Sequence, residues 1–373
     1  MKSQMPDKKT ITIDCRMIDN SGIGTYLKNI LNYAVSESKY KWVLLGKQNK
    51  IKEHVKGEYQ IVEVCSKIYS IREQFEMLRK IPKSELLWCP HYNIPLFYKD
   101  RMVVTIHDIC HLALPEYFPG YIKQVYAKQL IGSAVRKSEA VITDSKFTAS
   151  EIQKYFRFDR AKLKIIPLGV GNAYNTDSSG DTLFLKKHGI QNPYILYVGN
   201  IKPHKNISRY IKALGLIKKK NKNLSFVFVG KKEGFISGME DLEQELEHAG
   251  IEDTVFIDER LTDIQLKTVY QEALCLAFPS MYEGFGLPPL EAMACGCPVV
   301  VSKAASLPEV CGDAAVYIDP YSVESIAEGI NTVLLDENLR AELRLKGIKR
   351  ARMFEWQDTA KKFIEIFQEA IDK

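Results

Sequence analysis

The sequence predicts an α/β protein of two successive domains, each a parallel β-sheet covered by helices on both faces. Short apolar segments of strand length alternate with longer segments of helical periodicity through residues 10–143. The same alternation begins again at residue 194 and continues towards the C-terminus. A chain of 373 residues with 46% hydrophobic content can also bury two cores. This pattern is typical of doubly wound sheets.

The first half contains six predicted strands, three predicted helices and a closing segment. The strands are Thr10–Asp14, Trp42–Gly46, Tyr59–Val64, Leu86–Cys89, Met102–Ile106 and Ala140–Thr143. The helices run from about Gly24, over Ile71–Lys80 and over Tyr121–Lys137. The segment Ile165–Gly171 contains one proline and two glycines, and we expect it to be a final strand that leads into a hinge.

The second half repeats this organisation. Its predicted strands are Tyr194–Gly199, Leu224–Gly230, Thr254–Ile257, Cys275–Phe278, Pro298–Ser302 and Ala315–Ile318. Helices are predicted over Ile207–Lys220, Met239–Ala249 and Thr262–Glu272, and Pro288 and Pro289 open another, where a missing N–H costs nothing.

Composition narrows the class of protein. No apolar segment approaches the roughly 18 residues that span a bilayer, and Met1–Thr10 is polar, with no apolar signal core behind it. Eight cysteines include no C-x-x-C pair, which favours buried thiols in a reducing compartment over a zinc site. We therefore expect a cytoplasmic protein.

Charge is divided unevenly along the chain. Residues 1–168 carry 28 Lys and Arg against 17 Asp and Glu, whereas residues 169–373 carry 24 against 29. A basic N-terminal half either docks on an anionic membrane surface or attracts phosphorylated substrates. The alternative is that these charges are scattered over solvated surfaces.

Glu283 and Glu291 flank a Gly- and Pro-rich turn between a strand and a helix. Solvated glutamates at this spacing are common and usually have no function. Two carboxylates in one crevice beside a helix N-terminus, however, accept hydrogen bonds from a polyhydroxylated ligand while backbone N–H groups face its phosphates. A nucleotide sugar fits both parts of this description.

The segment from Glu283 to Glu291, EGFGLPPLE, resembles the E-x7-E signature of the retaining glycosyltransferases of family four. Those enzymes have the GT-B fold, two facing Rossmann-like domains with an interdomain cleft. The resemblance implies an acceptor-side domain over residues 1–170, a nucleotide-sugar-binding domain over residues 171–354, and a last helix, about 355–373, that crosses back onto the first domain. It assigns Glu283 to the hydroxyls of the donor sugar and Glu291 to the nucleotide ribose.

Gly22 and Gly24 follow the first strand, where an ordinary strand-to-helix turn would also explain them. Their position matches the family's glycine loop, which faces the donor diphosphate. Lys205 matches a family lysine that also reaches the diphosphate, although a lysine in such a loop is usually an ordinary surface residue.

One position departs from the family pattern. Asn200 stands where the family has an arginine, and it donates hydrogen bonds without charge. Either Lys202 or His204 compensates, with Lys202 the better candidate, or the diphosphate depends more on Lys205 and on helix N-termini. This departure also keeps a non-catalytic subunit open as an alternative.

His107 ends an apolar strand, at the edge where open α/β sheets bind ligands. Such a histidine is often structural, but the resemblance implies that it contacts the donor sugar near its reacting carbon. Asp108 either orients this imidazole or caps the following segment. Ser145 is expected to cap a helix, and by resemblance it is a further candidate near the active cleft.

The resemblance also places Ser280, Phe285, Gly286 and Leu287 in the loop around the donor, where backbone N–H groups neutralise diphosphate charge. The sequence contains no Asp-x-Asp motif and no His/Cys cluster. We therefore expect lysine and backbone dipoles to handle the leaving-group charge, with no cofactor and no required metal.

The segment Val198–Asn206 looks like the branch of the family rich in bacterial mannosyltransferases of O-antigen and other polysaccharide pathways. This resemblance favours GDP-mannose as donor and a glycan on a lipid diphosphate as acceptor. A UDP-sugar donor stays open, as do a sugar-nucleotide epimerase and a non-catalytic nucleotide-sugar-binding subunit. No nucleic-acid signature or Walker loop occurs, so we do not expect a nucleic-acid partner.

Overall fold

The computed structural model describes residues 8–118, 120–177, 180–231 and 239–373. The chain divides into two compact units. Unit 1 contains Met1–Gly169 and the C-terminal segment Glu355–Lys373, and unit 2 contains Val170–Phe354. No helix among the described residues combines the length and apolarity that crossing a membrane requires.

Unit 1 is built on a seven-stranded parallel sheet with the strand order β3-β2-β1-β4-β5-β6-β7. Its strands are β1 Lys9–Asp14, β2 Tyr40–Leu45, β3 Gln60–Val62, β4 Leu86–Cys89, β5 Met102–Thr105, β6 Ala140–Thr143 and β7 Leu163–Ile165. Its helices are α1 Ser21–Ala34, α2 Gln48–His54, α3 Ile71–Lys80, α4 Cys110–Ala113, α5 Tyr121–Lys137, α6 Lys146–Tyr155 and, after unit 2, α15 Trp356–Asp372.

Buried aromatic rings attach the C-terminal helix α15 to the sheet of unit 1. The Trp88 ring of β4 lies 5.1 Å from Phe363 and 5.4 Å from Phe367, both on α15. Gly169 approaches the start of this helix so closely that a Cβ atom there would lie 2.2 Å from the Trp356 nitrogen. These side chains are almost fully buried, so their contacts fix α15 as a layer of unit 1.

Unit 2 has a six-stranded parallel sheet with the order β10-β9-β8-β11-β12-β13. Its strands are β8 Tyr194–Val198, β9 Ser225–Val229, β10 Val255–Ile257, β11 Cys275–Phe278, β12 Val299–Ser302 and β13 Ala315–Ile318. Its helices are α7 Thr182–Lys187, α8 Ile207–Lys218, α9 Met239–Ala249, α10 Asp263–Glu272, α11 Leu287–Ala294, α12 Leu307–Cys311, α13 Val323–Leu335 and α14 Glu337–Ala351.

The prediction of two parallel α/β sheets is confirmed, but the strand expected over Ile165–Gly171 is wrong in position. The seventh strand ends at Ile165, and the Ile166 N–H makes one more bond, 2.8 Å to the Thr143 carbonyl. Pro167 follows and has no N–H to donate, so the ladder stops there. Helix α2 was not predicted, because Ile51 is its one buried residue and leaves little periodic signal.

Candidate active site

Strand order reverses beside the first strand of each sheet. β1 lies between β2 and β4, and β8 lies between β9 and β11. Open parallel sheets bind ligands at the carboxyl ends of the strands where the order reverses. In unit 2 this places the candidate site on the segments that follow β8 and β11, and in unit 1 on those that follow β1 and β4.

Lys205 and Glu283 meet at this edge of unit 2. Lys205 ends a short 3₁₀ turn after β8, and its Nζ lies 2.5 Å from Glu283 Oε1, in the loop after β11. Their side chains are 15% and 12% exposed, and Nζ also lies 5.1 Å from the Phe278 ring centroid. Lys205, predicted to bind the diphosphate, and Glu283, predicted to bind the sugar, therefore form one partly buried ion pair. A bound anion would compete with Glu283 for the ammonium group.

Hydrogen bonds to backbone carbonyls join the two loops. The Met281 N–H donates to the His204 carbonyl at 2.8 Å, and the buried Ser280 hydroxyl lies 3.2 Å from the same oxygen. Asn206 is 4% exposed, and its amide donates to the carbonyls of Pro279 and Pro320 at 3.1 and 2.6 Å. Ser280 therefore has a structural role in this arrangement, between the loops that carry Lys205 and Glu283.

Asn206 was not singled out from the sequence. Its φ of +65° is in the left-handed region, which asparagine tolerates better than most residues. An asparagine directly before the apolar repeat of α8 was the one local signal for this position.

The loop between Glu283 and α11 is held by Ser306, which is fully buried. Its hydroxyl lies 2.9 Å from the Glu283 carbonyl and 2.6 Å from the Phe285 carbonyl. Gly286 precedes Leu287, the first residue of α11, with a φ of +116°, and a Cβ there would lie 2.8 Å from a Leu307 methyl group. The Phe285 ring is buried, so only the backbone of residues 285–287 is suited to binding an anion.

Glu291 lies in α11 with a side chain that is largely buried. The Tyr270 hydroxyl donates to Glu291 Oε2 at 3.0 Å, and the Tyr174 ring packs edge-on against Tyr270. Burial raises the pKa of Glu291 to about 7, against the lowering effect of the Tyr270 hydroxyl. Tyr270 is a residue that the sequence analysis missed, and it belongs to an ordinary amphipathic helix with no motif of its own.

Asn200, the residue that replaces the family arginine, contacts the loop that follows β9. Its Oδ1 accepts a hydrogen bond from the Lys231 N–H at 3.2 Å. Lys202 is exposed, whereas His204 is partly buried. The Asn200 side chain thus joins the loops after β8 and β9, and it adds no charge beside Lys205.

In unit 1, both ring nitrogens of His107 face oxygen atoms. Nδ1 lies 2.6 Å from Asp144 Oδ2, and Nε2 lies 3.0 Å from the Pro90 carbonyl, which can only accept. Burial alone lowers the pKa of His107, but the Asp144 carboxylate outweighs it and the net shift is upward. Burial also raises the pKa of Asp144, so the pair shares one proton across a short contact.

Asp144 contacts the imidazole directly, and Asp108 caps the segment that follows. Asp108 Oδ1 accepts from the Cys110 N–H at 2.9 Å and so caps the following segment. Ser145 accepts from the Thr148 N–H at 3.1 Å as the N-cap of α6. Asp144 itself was not predicted, although it follows an apolar strand as His107 does.

Gly22 and Gly24 have different surroundings at the start of α1. A Cβ on Gly24 would lie 2.4 Å from the Ile18 carbonyl oxygen, whereas a Cβ on Gly22 would meet no atom within 4 Å. Gly24 is therefore required by packing. Gly22 is open at the carboxyl edge of β1, where the glycine loop was predicted to face a ligand.

Three side chains with metal-binding atoms lie together elsewhere in unit 1. Ligand atoms of Asp19, Glu53 and His54 lie within 4.8 Å of one another. The Lys50 ammonium lies 3.2 Å from Asp19 and 3.3 Å from Glu53. A protein cation therefore already offsets part of the negative charge of this group, which has the composition of a surface ion-pair network.

Comparisons with known proteins agree with this architecture. Residues 182–350 match the family described as glycosyl transferases group 1, and residues 84–172 match that described as Glycosyltransferase Family 4. Over 283 residues the chain is 32% identical to O-antigen chain mannosyltransferase B of Escherichia coli, with 74% of each chain covered. The chain belongs to the family 4 glycosyltransferases.

A second relative of this glycosyltransferase is O-antigen chain mannosyltransferase RfbU of Salmonella typhimurium, 30% identical with 71% of this chain and 69% of the other covered. Among solved structures, Anabaena HepE in complex with UDP-glucose superposes with a TM-score of 0.79, covering 97% of this chain and 100% of HepE at 18% identity. That likeness concerns the fold, and the predicted GT-B fold is confirmed.

Proposed function

We propose that this glycosyltransferase is a retaining mannosyltransferase that moves mannose from GDP-mannose to a growing polysaccharide. The relatives named as O-antigen mannosyltransferases support this choice of sugar and acceptor class. The structural observation that carries the proposal is the Lys205–Glu283 pair, which lies at the edge where the strand order reverses. In this pair a cation that suits a diphosphate lies beside a carboxylate that suits the hydroxyl groups of a sugar.

Each part of the donor has a proposed partner. The Lys205 ammonium and the backbone N–H groups of residues 285–287 bind the diphosphate, with Lys202 as an additional cation. Glu283, once released from Lys205, accepts hydrogen bonds from hydroxyls of the sugar. Glu291 does the same for the ribose. Gly22 leaves room for a phosphate to approach the backbone after β1, and Gly24 maintains the turn that makes this room.

The proposed reaction breaks the bond between the anomeric carbon and the diphosphate oxygen, and the electron pair leaves with GDP. The acceptor hydroxyl oxygen forms the new bond on the same face of the sugar, and its proton passes to the leaving phosphate. Because the leaving phosphate takes this proton, the scheme requires no protein nucleophile. His107 contacts the donor sugar near its reacting carbon, in an orientation that Asp144 fixes. Lysine and backbone dipoles balance the diphosphate charge in this scheme, without a required metal.

The test is incubation with GDP-mannose, UDP-glucose and ADP-glucose, with an octyl α-mannoside as acceptor. Transfer from GDP-mannose into an α-linked product, read by NMR, supports the proposal, and a β-linked product contradicts the retaining mechanism. Transfer from UDP-glucose but not from GDP-mannose would show that the donor is a UDP-sugar. An epimer without diphosphate release indicates the epimerase, and binding without turnover indicates a non-catalytic subunit. Activity abolished by EDTA and restored by Mg²⁺ would contradict metal independence.

We further propose that a lipid diphosphate carries the acceptor and brings unit 1 to the cytoplasmic face of an anionic membrane. Helix α3 exposes Ile71 and Phe75, 81% and 59% accessible, on one face with Arg72 and Arg79. An apolar strip flanked by arginines suits a headgroup boundary, and the basic excess of residues 1–168 suits anionic lipid.

Sedimentation with phosphatidylglycerol and phosphatidylcholine vesicles tests this contact. Ile71→Ser with Phe75→Ser should reduce binding to the anionic vesicles. Leu183→Ser removes a residue of similar exposure, 75%, from unit 2 and should not. Equal binding of both variants, or none by the unmodified protein, rejects the proposed surface.

A further inference from the structure

A row of aromatic rings lies at the carboxyl edge of the unit 1 sheet. Tyr69 precedes α3, His91 and Tyr92 follow β4, and His111 lies in α4 after β5. The ring centroids of His91 and Tyr92 are 3.9 Å apart, Tyr69 lies 6.1 Å from His91, and His111 lies 5.3 Å from Tyr92. Because the strands are parallel, three separate connections bring these four rings, the ring row, to one edge.

Tyr69 is held in a backbone conformation that an aromatic residue rarely adopts. Its φ is +67°, and its side chain is 46% exposed. The Tyr69 N–H donates to Glu73 Oε2 at 2.6 Å, and Arg16 bonds the other oxygen of Glu73. Arg16 also bonds Asp14 through two contacts of 2.8 and 2.6 Å. This network, with Glu73 1% exposed, maintains strain of the kind that concentrates at ligand sites.

Polar groups without protein partners lie beside the rings. Asn93 is 3% exposed; its Nδ2 donates to Glu73 at 2.6 Å, but its buried Oδ1 has no hydrogen-bond partner. The Asn93 N–H donates to His91 Nδ1 at 3.3 Å. Burial lowers the pKa of His91 to about 3, so the neutral ring carries its proton on Nε2. Within the described residues, no protein group accepts a hydrogen bond from that nitrogen.

We propose that the ring row and Asn93 form a subsite for a neutral sugar of the glycan acceptor. This inference rests on the proposed transferase function. Aromatic faces pack against the C–H surface of a sugar. His91 Nε2–H then donates to one hydroxyl of that sugar, and Asn93 Oδ1 accepts from another.

The charges beside the subsite favour a neutral ligand over a phosphate group. Asp14 and Glu73 already bond the Arg16 guanidinium. The side chains of the three residues are 1–10% exposed, so two buried carboxylates surround one buried cation. The charge of Asp108 also acts on His91, and His107, another basic group nearby, is paired with Asp144. An anion would meet net negative charge there, whereas hydroxyl groups meet one donor and one acceptor.

Tyr69→Gly tests the subsite, because glycine keeps the positive φ and removes the ring. The probe is octyl α-mannobioside, with Kd measured by saturation-transfer NMR without donor. We expect Kd to rise about tenfold. Phe97→Ala, which removes another exposed ring of unit 1, is the control and should leave Kd unchanged. His91→Phe keeps a ring but loses the Nε2–H, and it should also weaken binding.

Three results would overturn the inference: no saturation transfer to the mannobioside in the unmodified protein, an unchanged Kd in both subsite variants, or an equal rise in Phe97→Ala. Urea unfolding read by the fluorescence of the three tryptophans, which all lie in unit 1, shows that each variant has folded. Failure of the proposed function would be a separate result. In that case no nucleotide sugar would be hydrolysed or used for transfer, whether or not the mannobioside binds.

Discussion

Replacing Glu291 by glutamine should change how the stability of unit 2 depends on pH. Glu291 is 9% exposed and accepts a hydrogen bond from Tyr270 at 3.0 Å. Glutamine has nearly the same size and keeps an oxygen that accepts from the Tyr270 hydroxyl. The substitution therefore removes the ionisable proton with little change in packing.

The expected magnitude follows from the pKa of this carboxyl group. Burial raises it from 4.5 to about 7, and each unit corresponds to about 1.4 kcal/mol. Between these two pH values the native state binds more protons than the unfolded chain, so stability falls as pH rises through the window. The free energy of unfolding should fall by about 3 kcal/mol from this group alone, and in Glu291→Gln that fall should be absent.

Urea unfolding at pH 5, 6, 7 and 8 measures the effect. The three tryptophans, Trp42, Trp88 and Trp356, all lie in unit 1, so fluorescence reports that unit and circular dichroism is needed for unit 2. Glu247→Gln, at an exposed glutamate of α9, is the control and should follow the unmodified protein. A stability difference between Glu291→Gln and the unmodified protein that stays constant from pH 5 to 8 would refute the reasoning.

Three further predictions concern activity and packing. Lys205→Met should lower kcat/KM for the nucleotide sugar by about 100-fold, because the diphosphate loses its cation; an unchanged value removes Lys205 from the donor site. Asp144→Asn should lower the pKa of the paired histidine, so if that histidine must be protonated, the alkaline limb of the pH profile of kcat/KM moves to lower pH. A profile that does not move contradicts this role. Gly24→Ala should destabilise unit 1 by about 1–3 kcal/mol in urea unfolding read by tryptophan fluorescence, whereas Gly22→Ala, with open space around its Cβ, should not; equal effects would contradict the packing argument.

Many helices and strands could be predicted from local sequence because the periodic spacing of their apolar residues shows which face is buried. The bounds of Ile71–Lys80, Tyr121–Lys137 and Cys275–Phe278 agree with those of α3, α5 and β11. Prediction failed where a local feature overrode the apolar pattern, as Pro167 did in ending β7, or where the pattern was weak, as in α2.

For the candidate site, too, some features could be predicted from the sequence and others could not. Lys205, Glu283 and His107 could be named in advance because each follows an apolar strand at the edge where such sheets bind ligands and also matches a position of the family pattern. That Lys205 and Glu283, 78 positions apart, form a pair could not be predicted, nor could the contact of His107 with Asp144, 37 positions away. Nothing in the intervening residues encodes these distances.

The sequence by itself determined the α/β class, the division into two sheets and the residue types available at each strand end, because periodicity and motif are local properties. Only the tertiary structure decided that Lys205 is paired with Glu283, that Asp144 contacts His107, and that Glu291 is buried against Tyr270. The physical reason is strand order. In unit 2, β8 lies beside β11, which comes three strands later in the chain, so Lys205 and Glu283 share one edge of the sheet. In unit 1, β5 lies beside β6, so His107 and Asp144 share one edge and one proton.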